Sequence, residues 1–176
     1  MAFFSIFPRQ SKKSSNIAMK HIQIEFKWAI IFLVALLAWT LLERTLGWHD
    51  EEIANHFWLT LLFMPFAVLM YVLEMREKRR RYYNKKISWK QAFFSGALLS
   101  LFIALLSPGA QYVIHNFITP EYFKNVIDYS VTNKLMTIKA ANETFNITSY
   151  MWQAAFGSLF GGLVISAIAA IFMRRS

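Results

Sequence analysis

The stretch from Trp28 to Leu42 reads WAIIFLVALLAWTLL, an apolar run interrupted only by Thr40 and carrying no charge. A helix needs roughly 20 mostly apolar residues to cross about 30 Å of hydrocarbon. With its flanks this run reaches that length over residues 26–46. Three more segments qualify on either reading of the chain outward from it: 53–73, 90–114 and 150–173. Strands of a membrane barrel would alternate polar and apolar residues over about ten positions, and these runs do not. The chain as a whole agrees. Of 176 residues, 56% are hydrophobic and 16% charged, against about 25% charged in a soluble domain. The expected fold is therefore all-α, an integral membrane four-helix bundle over 25–176 preceded by a basic tail over 1–24. The sequence contains no cysteine, which excludes a disulfide scaffold, a thiol nucleophile and a thiolate metal site. Glu43-Arg44-Thr45-Leu46 lacks the small-x-small pattern that a signal peptidase reads, so the first span is expected to be retained.

Orientation follows from lysine and arginine in the short loops. The segment before the first span carries Arg9, Lys12, Lys13, Lys20 and Lys27. The first connection has Arg44 against Glu43, Asp50, Glu51 and Glu52. The second carries Arg76, Lys78, Arg79, Arg80, Arg81, Lys85, Lys86 and Lys90. The third balances Lys124, Lys134 and Lys139 with Glu121, Asp128 and Glu143, and Arg174 and Arg175 follow the last span. Both termini and the 74–90 loop are expected in the cytoplasm, with the first and third connections outside. The formal charge of +9 suits the bilayer. Arg76, Lys78, Arg79, Arg80, Arg81, Lys85 and Lys86 follow a span directly, so their expected partner is anionic lipid, at about 1 kcal/mol per cation near the surface, and not nucleic acid.

Several local signals refine the picture. Residues 1–20 read as a flexible tail with an aromatic start at Phe3–Phe7. Asp50 is a candidate N-cap for the second helix, with Glu51 and Glu52 in its first turn. Pro65 should kink that helix. Thirty residues from Trp89 to Ile118 would extend about 45 Å as one helix, so Ser107-Pro108-Gly109 is expected to mark a break or bend. Thr119-Pro120-Glu121 reads as N-cap, N1 proline and first-turn acid of a further helix. Phe123, Val126, Ile127, Ser130 and Val131 fall on one face of it, making it a short amphipathic helix on the extracytoplasmic surface.

Small residues recur every four positions in the last two spans. They are Ala92, Gly96, Ser100 and Ala104 in the third, and Gly157 and Gly161 shadowed by Ser158 and Gly162 in the fourth. Lipid tails are as apolar as leucine, so helices associate in a bilayer where small residues let backbones approach. These residues are expected to pack the third helix on the fourth, to form a seam with a second copy or a partner membrane protein, or to line a substrate groove.

Chemistry is sparse. Glu43, His49, Asp50, Glu51, Glu52 and His56 form a ligand-like group in which Glu52 and His56 are four apart. Acids ahead of a helix are ordinary caps, and the spacing matches no metal motif. No HExxH, GxSxG or phosphate-cradling loop is present. Trp28–Leu42, Phe57–Leu73 and Ala92–Ile114 contain no acidic or basic residue, which argues against a proton-coupled transporter working alone. The sequence thus assigns no catalytic residue, no cofactor and no metal ligand.

A set of short matches carries a family resemblance. It comprises Leu42-Glu43-Arg44, Gly47-Trp48-His49-Asp50, the basic loop with Tyr82-Tyr83-Asn84, Gln91-Ala92-Phe93, Leu106-Ser107-Pro108, Thr119-Pro120-Glu121-Tyr122-Phe123, and Tyr150 with Gln153. Over roughly residues 25–175 the chain resembles the bacterial membrane-protein family named domain of unknown function 4199. The resemblance implies a four-helix inner-membrane protein and supplies no activity or catalytic role. The expected function is a non-enzymatic membrane scaffold or accessory subunit that associates through helices three and four. The alternatives are a subunit of an oligomeric transporter or channel, and a membrane enzyme built on the Glu43–His56 group.

Overall fold

The computed structural model describes residues 11–174, with side chains from Ile22 onward. The aromatic start at Phe3–Phe7 and the terminal Arg175 lie outside the described residues. The chain is all-helical: α1 is Ser11–Thr45, α2 His56–Thr60, α3 Met64–Tyr82, α4 Trp89–Val113, α5 Tyr122–Thr132, α6 Ile138–Thr144 and α7 Ile147–Met173. Four helical stretches are long and apolar enough to cross a membrane: Ile22–Thr45, His56–Tyr82, Trp89–Ile118 and Ile147–Met173. Large side chains such as Trp58, Phe94, Leu105, Phe160 and Phe172 face outward from the bundle, as lipid-facing residues do.

Two expectations at helix boundaries are corrected. The tail is helical from Ser11, because residues 11–21 hold neither glycine nor proline to stop the helix running back from the span. Asp50 does not cap a helix. Residues 46–55 form successive turns, the helix starts at His56, and Asp50 instead accepts a hydrogen bond from Asn125 Nδ2.

The prolines act in two different ways. Pro65 has no N–H to offer the Leu61 carbonyl four residues back. The Met64 N–H takes that carbonyl instead, tightening Leu61–Phe63 into a 3₁₀ turn between α2 and α3. Pro108, by contrast, sits inside α4, and the expected break at Ser107-Pro108-Gly109 does not occur. Pro108 frees the Ala104 carbonyl, and the neighbouring Ser107 hydroxyl donates to it at 3.0 Å. With that acceptor satisfied the helix continues. It ends in a π turn over Ile114–Ile118, closed by Thr119 N–H on Ile114 O at 2.7 Å.

Between the last two spans the structure has two short helices, α5 and α6, where one was expected. The first begins at Tyr122 rather than directly after Thr119, with no side-chain cap from Glu121. The second starts where Thr137 accepts the Ala140 N–H. The last span begins when Asn146 Oδ1 accepts the Ser149 N–H at 2.9 Å.

The most extensive packing joins α4 to α7, and α1 and α3 lie against that pair. Glycine allows the close approach. A β-carbon on Gly96 would lie 2.6 Å from the Met75 methyl and 2.8 Å from Ser166 Cβ, and one on Gly162 would lie 2.8 Å from Ser100 Cβ. The two serines satisfy their hydroxyls within their own helices, Ser100 on Gly96 O at 2.8 Å and Ser166 on Gly162 O at 2.6 Å. Tyr71 reaches in from α3, its hydroxyl 2.9 Å from Ser100 Oγ. Ala92 and Ala104, on the same face of α4, are buried as well.

Candidate functional site

At the end of the bundle away from the basic loop, the close of α1 sets up a polar cavity. Gly47, at φ +72°, takes the left-handed conformation that ends a helix. The Gly47 N–H bonds to Arg44 O and the Trp48 N–H to Glu43 O, both at 3.0 Å, which is a Schellman closure. The chain therefore doubles back, and His49 arrives beside Glu43. His49 Nε2 lies 3.3 Å from Glu43 Oε2, and both side chains are almost fully buried. His56, the first residue of α2, brings its Nε2 to 4.0 Å from the same oxygen. The other carboxylate oxygen accepts the Trp39 Nε1–H at 2.7 Å.

The remaining walls come from distant parts of the chain. The π turn carries His115, which is buried and whose Nδ1 has no hydrogen-bond partner, as is true of His49 Nδ1. Tyr122 of α5 packs edge-on or tilted among the imidazoles, with ring centroids 5.3 Å from His49, 5.1 Å from His56 and 5.4 Å from His115. Its hydroxyl is 3.4 Å from His56 Nδ1 and 3.0 Å from the Tyr150 hydroxyl. Burial pushes the Tyr122 phenol far above its ordinary range, and the nearby Tyr150 and Glu43 add to the effect. Tyr122 therefore stays neutral and serves as a fixed hydrogen-bonding post. Asn125, one turn on, donates to His49 O at 3.1 Å and pins the loop down. Glu43, the three histidines, Tyr122 and Tyr150 line a cavity of about 230 Å³ together with Thr40, Thr60 and Gln111. Of the chain's four histidines, three line it.

This grouping differs from the one the sequence suggests. Glu52 and His56 do not pair: Glu52 is exposed and accepts from Asn55 at 2.8 Å. Glu51 is exposed too, and Asp50 faces Asn125. Glu43, His49 and His56 are the members that converge. His115, Tyr122 and Tyr150 join them across separations that no local spacing rule covers; Tyr122 and Tyr150 stood out only among the short family matches, and His115 not at all.

The other end of the bundle holds a second polar cluster, also unforeseen. Glu25 and Glu74 are 1% and 0% exposed. Lys78 Nζ donates to Glu25 at 2.7 Å, and Ser95 Oγ lies 2.8 Å from Glu25 and 2.6 Å from Glu74. Beside it, Glu77 accepts from Lys27 and, at 2.8 Å, from Trp28 Nε1. Of the cations assigned to lipid headgroups, Arg76, Arg80, Arg81, Lys85 and Lys86 are exposed. Lys78 is instead buried against Glu25, because its helix position faces α1. Arg79 reaches across to cap α7, donating to Met173 O at 3.1 Å.

The small-residue positions divide. Gly96, Ser100 and Gly162 form the α4–α7 contact, and Ser158 lies 3.5 Å from Ser107. Gly157 and Gly161 point elsewhere, since a β-carbon on either would meet nothing within 4 Å. They line an apolar groove of about 200 Å³ with Phe63, Met64 and Ala67 of the second span.

No curated protein and no solved structure shows significant similarity to the chain. Residues 27–175 match the family described as protein of unknown function (DUF4199), and with its four potential membrane-crossing helices the chain belongs to that family.

Proposed function

We propose that this protein is a non-enzymatic accessory subunit of the bacterial inner membrane that holds a small polar ligand in an outward-facing cavity. The observation that carries the reading is the convergence of Glu43, three histidines and two tyrosines from separate segments on one cavity. Buried polar groups in an apolar bundle cost free energy unless they are used or paired. The charge pattern of the loops supports an orientation with both termini and the 74–90 loop cytoplasmic, so the cavity opens on the extracytoplasmic side beside the surface helices α5 and α6. The exposed cations of the basic loop then lie against anionic headgroups. Association falls to the open Gly157–Gly161 stripe, since the Gly96–Gly162 face is filled within the chain. A small-residue stripe is complementary to itself under two-fold symmetry, and a second copy is the partner we assign.

Native mass spectrometry of the full chain released from lipid nanodiscs tests both parts. The wild type is expected as a homo-oligomer carrying a retained ligand mass. Thr60→Phe, which fills the cavity and alters neither the Glu43 nor the histidine side chains themselves, should lose that mass. Gly157→Ile with Gly161→Ile should yield monomers that are still folded. A ligand-free wild type would remove the first part, and a monomeric one the second.

The buried cluster at Glu25 and Glu74 favours a second reading, a subunit of an oligomeric transporter, because ionisable groups inside a membrane bundle commonly mark an ion path. Proteoliposomes should then pass protons or sodium ions faster than empty vesicles, and Glu74→Gln should abolish the difference. Equal rates in the two vesicle types would exclude it.

A further inference from the structure

We propose that Glu43, His49 and His56 bind a divalent first-row transition-metal ion of the zinc type. The assignment rests on the ligand-holding reading of the outer cavity and names the chemistry of its ligand. One donor atom from each residue lies within 4.8 Å of the other two. Two ligands each about 2.0–2.1 Å from a tetrahedral ion stand about 3.3 Å apart. His49 Nε2 and Glu43 Oε2 are already 3.3 Å apart, and His56 Nε2 is 4.0 Å from that oxygen. The latter distance is too long for a hydrogen bond, so His56 interacts with Glu43 through charge alone. It is within a side-chain adjustment of sharing an ion, and His56, less buried than the other two and at the start of a helix, has room to make it.

The surroundings are those of a ligand shell. Metal-bound carboxylates and imidazoles are usually oriented by hydrogen bonds to their other polar atoms. Trp39 holds the second oxygen of Glu43, and Tyr122, braced by Tyr150, stands at the second nitrogen of His56. An independent sign is His115, a further buried imidazole in the wall of the same cavity whose Nδ1 has no partner. A purely structural Glu43–His49 pair would explain neither the second imidazole aimed at that carboxylate oxygen nor the third in the wall.

Donor type selects the ion. Two imidazoles and a carboxylate suit zinc, copper(II), nickel or iron, whereas magnesium and calcium prefer all-oxygen shells. The chain has no cysteine, so thiolate-bound copper(I) is outside its range. Three protein ligands leave one coordination position for water or an anion from the cavity, which is the arrangement of an exchangeable site rather than a closed structural one.

The test uses the full chain in nanodiscs, stripped with a chelator and titrated with zinc chloride by calorimetry, with magnesium chloride in parallel. One zinc per chain and no magnesium response are expected. Cobalt(II) should show the intense visible absorption of a tetrahedral site. His49→Ala, His56→Gln and Glu43→Gln should each weaken zinc binding by roughly 100-fold or more, and Trp39→Phe, which removes only an orienting donor, by about 10–100-fold. Thermal unfolding of the stripped proteins separates lost binding from lost folding: His56→Gln should melt as the stripped wild type does. Absence of zinc uptake, or uptake unchanged in His56→Gln and Glu43→Gln, would overturn the assignment. If zinc fails while another ligand mass is lost in Thr60→Phe, the metal falls and the ligand-holding reading stands. If neither appears, both fall.

Discussion

Replacing Lys78 with methionine is expected to destabilise the protein by about 3–5 kcal/mol, the usual result of removing one partner of a buried ion pair. Lys78 is 4% exposed and its ammonium sits 2.7 Å from Glu25. Two carboxylates meet at Ser95, 2.8 Å from Glu25 and 2.6 Å from Glu74. Methionine keeps the length of the stem and removes the cation, leaving Glu25 and Glu74 facing each other in a site closed to water. Adding Glu25→Gln to Lys78→Met should recover much of the loss, because the amide can still accept from Ser95 without a charge. Equilibrium unfolding in mixed micelles would show the midpoints of the three proteins. Equal midpoints for Lys78→Met and wild type would mean that water reaches the cluster and that it contributes little to holding α1 against α3 and α4.

The second large effect lies at Gly162. Gly162→Ala is expected to lower stability by about 1–3 kcal/mol through overpacking, since its β-carbon would come 2.8 Å from Ser100 Cβ and against the Tyr71 hydroxyl. Both neighbours are buried, and the Tyr71–Ser100 hydrogen bond at 2.9 Å would have to break or shift. The control is Gly161→Ala, one residue away on the same helix. There the added methyl meets nothing within the protomer, so at a dilution that keeps the protein monomeric the lower backbone entropy of alanine should leave stability equal or slightly higher. Opposite signs at adjacent glycines, read by the same unfolding curves, would separate packing from helix propensity. Equal effects at the two sites would show that α4 and α7 can move apart at little cost.

The contrast between these glycines shows where sequence reading stops. Spacing four identified both Gly157–Gly161 and the Ser158–Gly162 register as candidate seams, but which stripe faces α4 depends on the rotation of α7 about its axis. That rotation is set by the fit of Gly96, Ser100, Tyr71 and Met75 around it, a property of several helices together. The same holds for the prolines. Both were visible, yet the outcome at Pro108 turned on one local donor, Ser107, and at Pro65 on the Met64 N–H. A rule that counts prolines alone treats them alike.

Hydrophobic length alone determined that the chain has four helices able to cross a membrane, because the cost of leaving backbone groups unsatisfied in hydrocarbon allows few alternatives. The alternation of basic and acidic loops was likewise written in the order of residues. The candidate site was legible only in part. Glu43, His49 and His56 stood out as a group, but their true pairing required the left-handed turn at Gly47, which folds His49 back on Glu43 and excludes Glu52. His115, Tyr122 and Tyr150 come from segments more than fifty residues further on, and only the packing of α4 and its π turn against α1, with α7 against α4, brings the walls of the cavity together. Glu25 and Glu74 lie just outside the most apolar stretches, where position along the chain suggests solvent. The tertiary structure buries them, because helices longer than their apolar cores carry their flanking residues into contact.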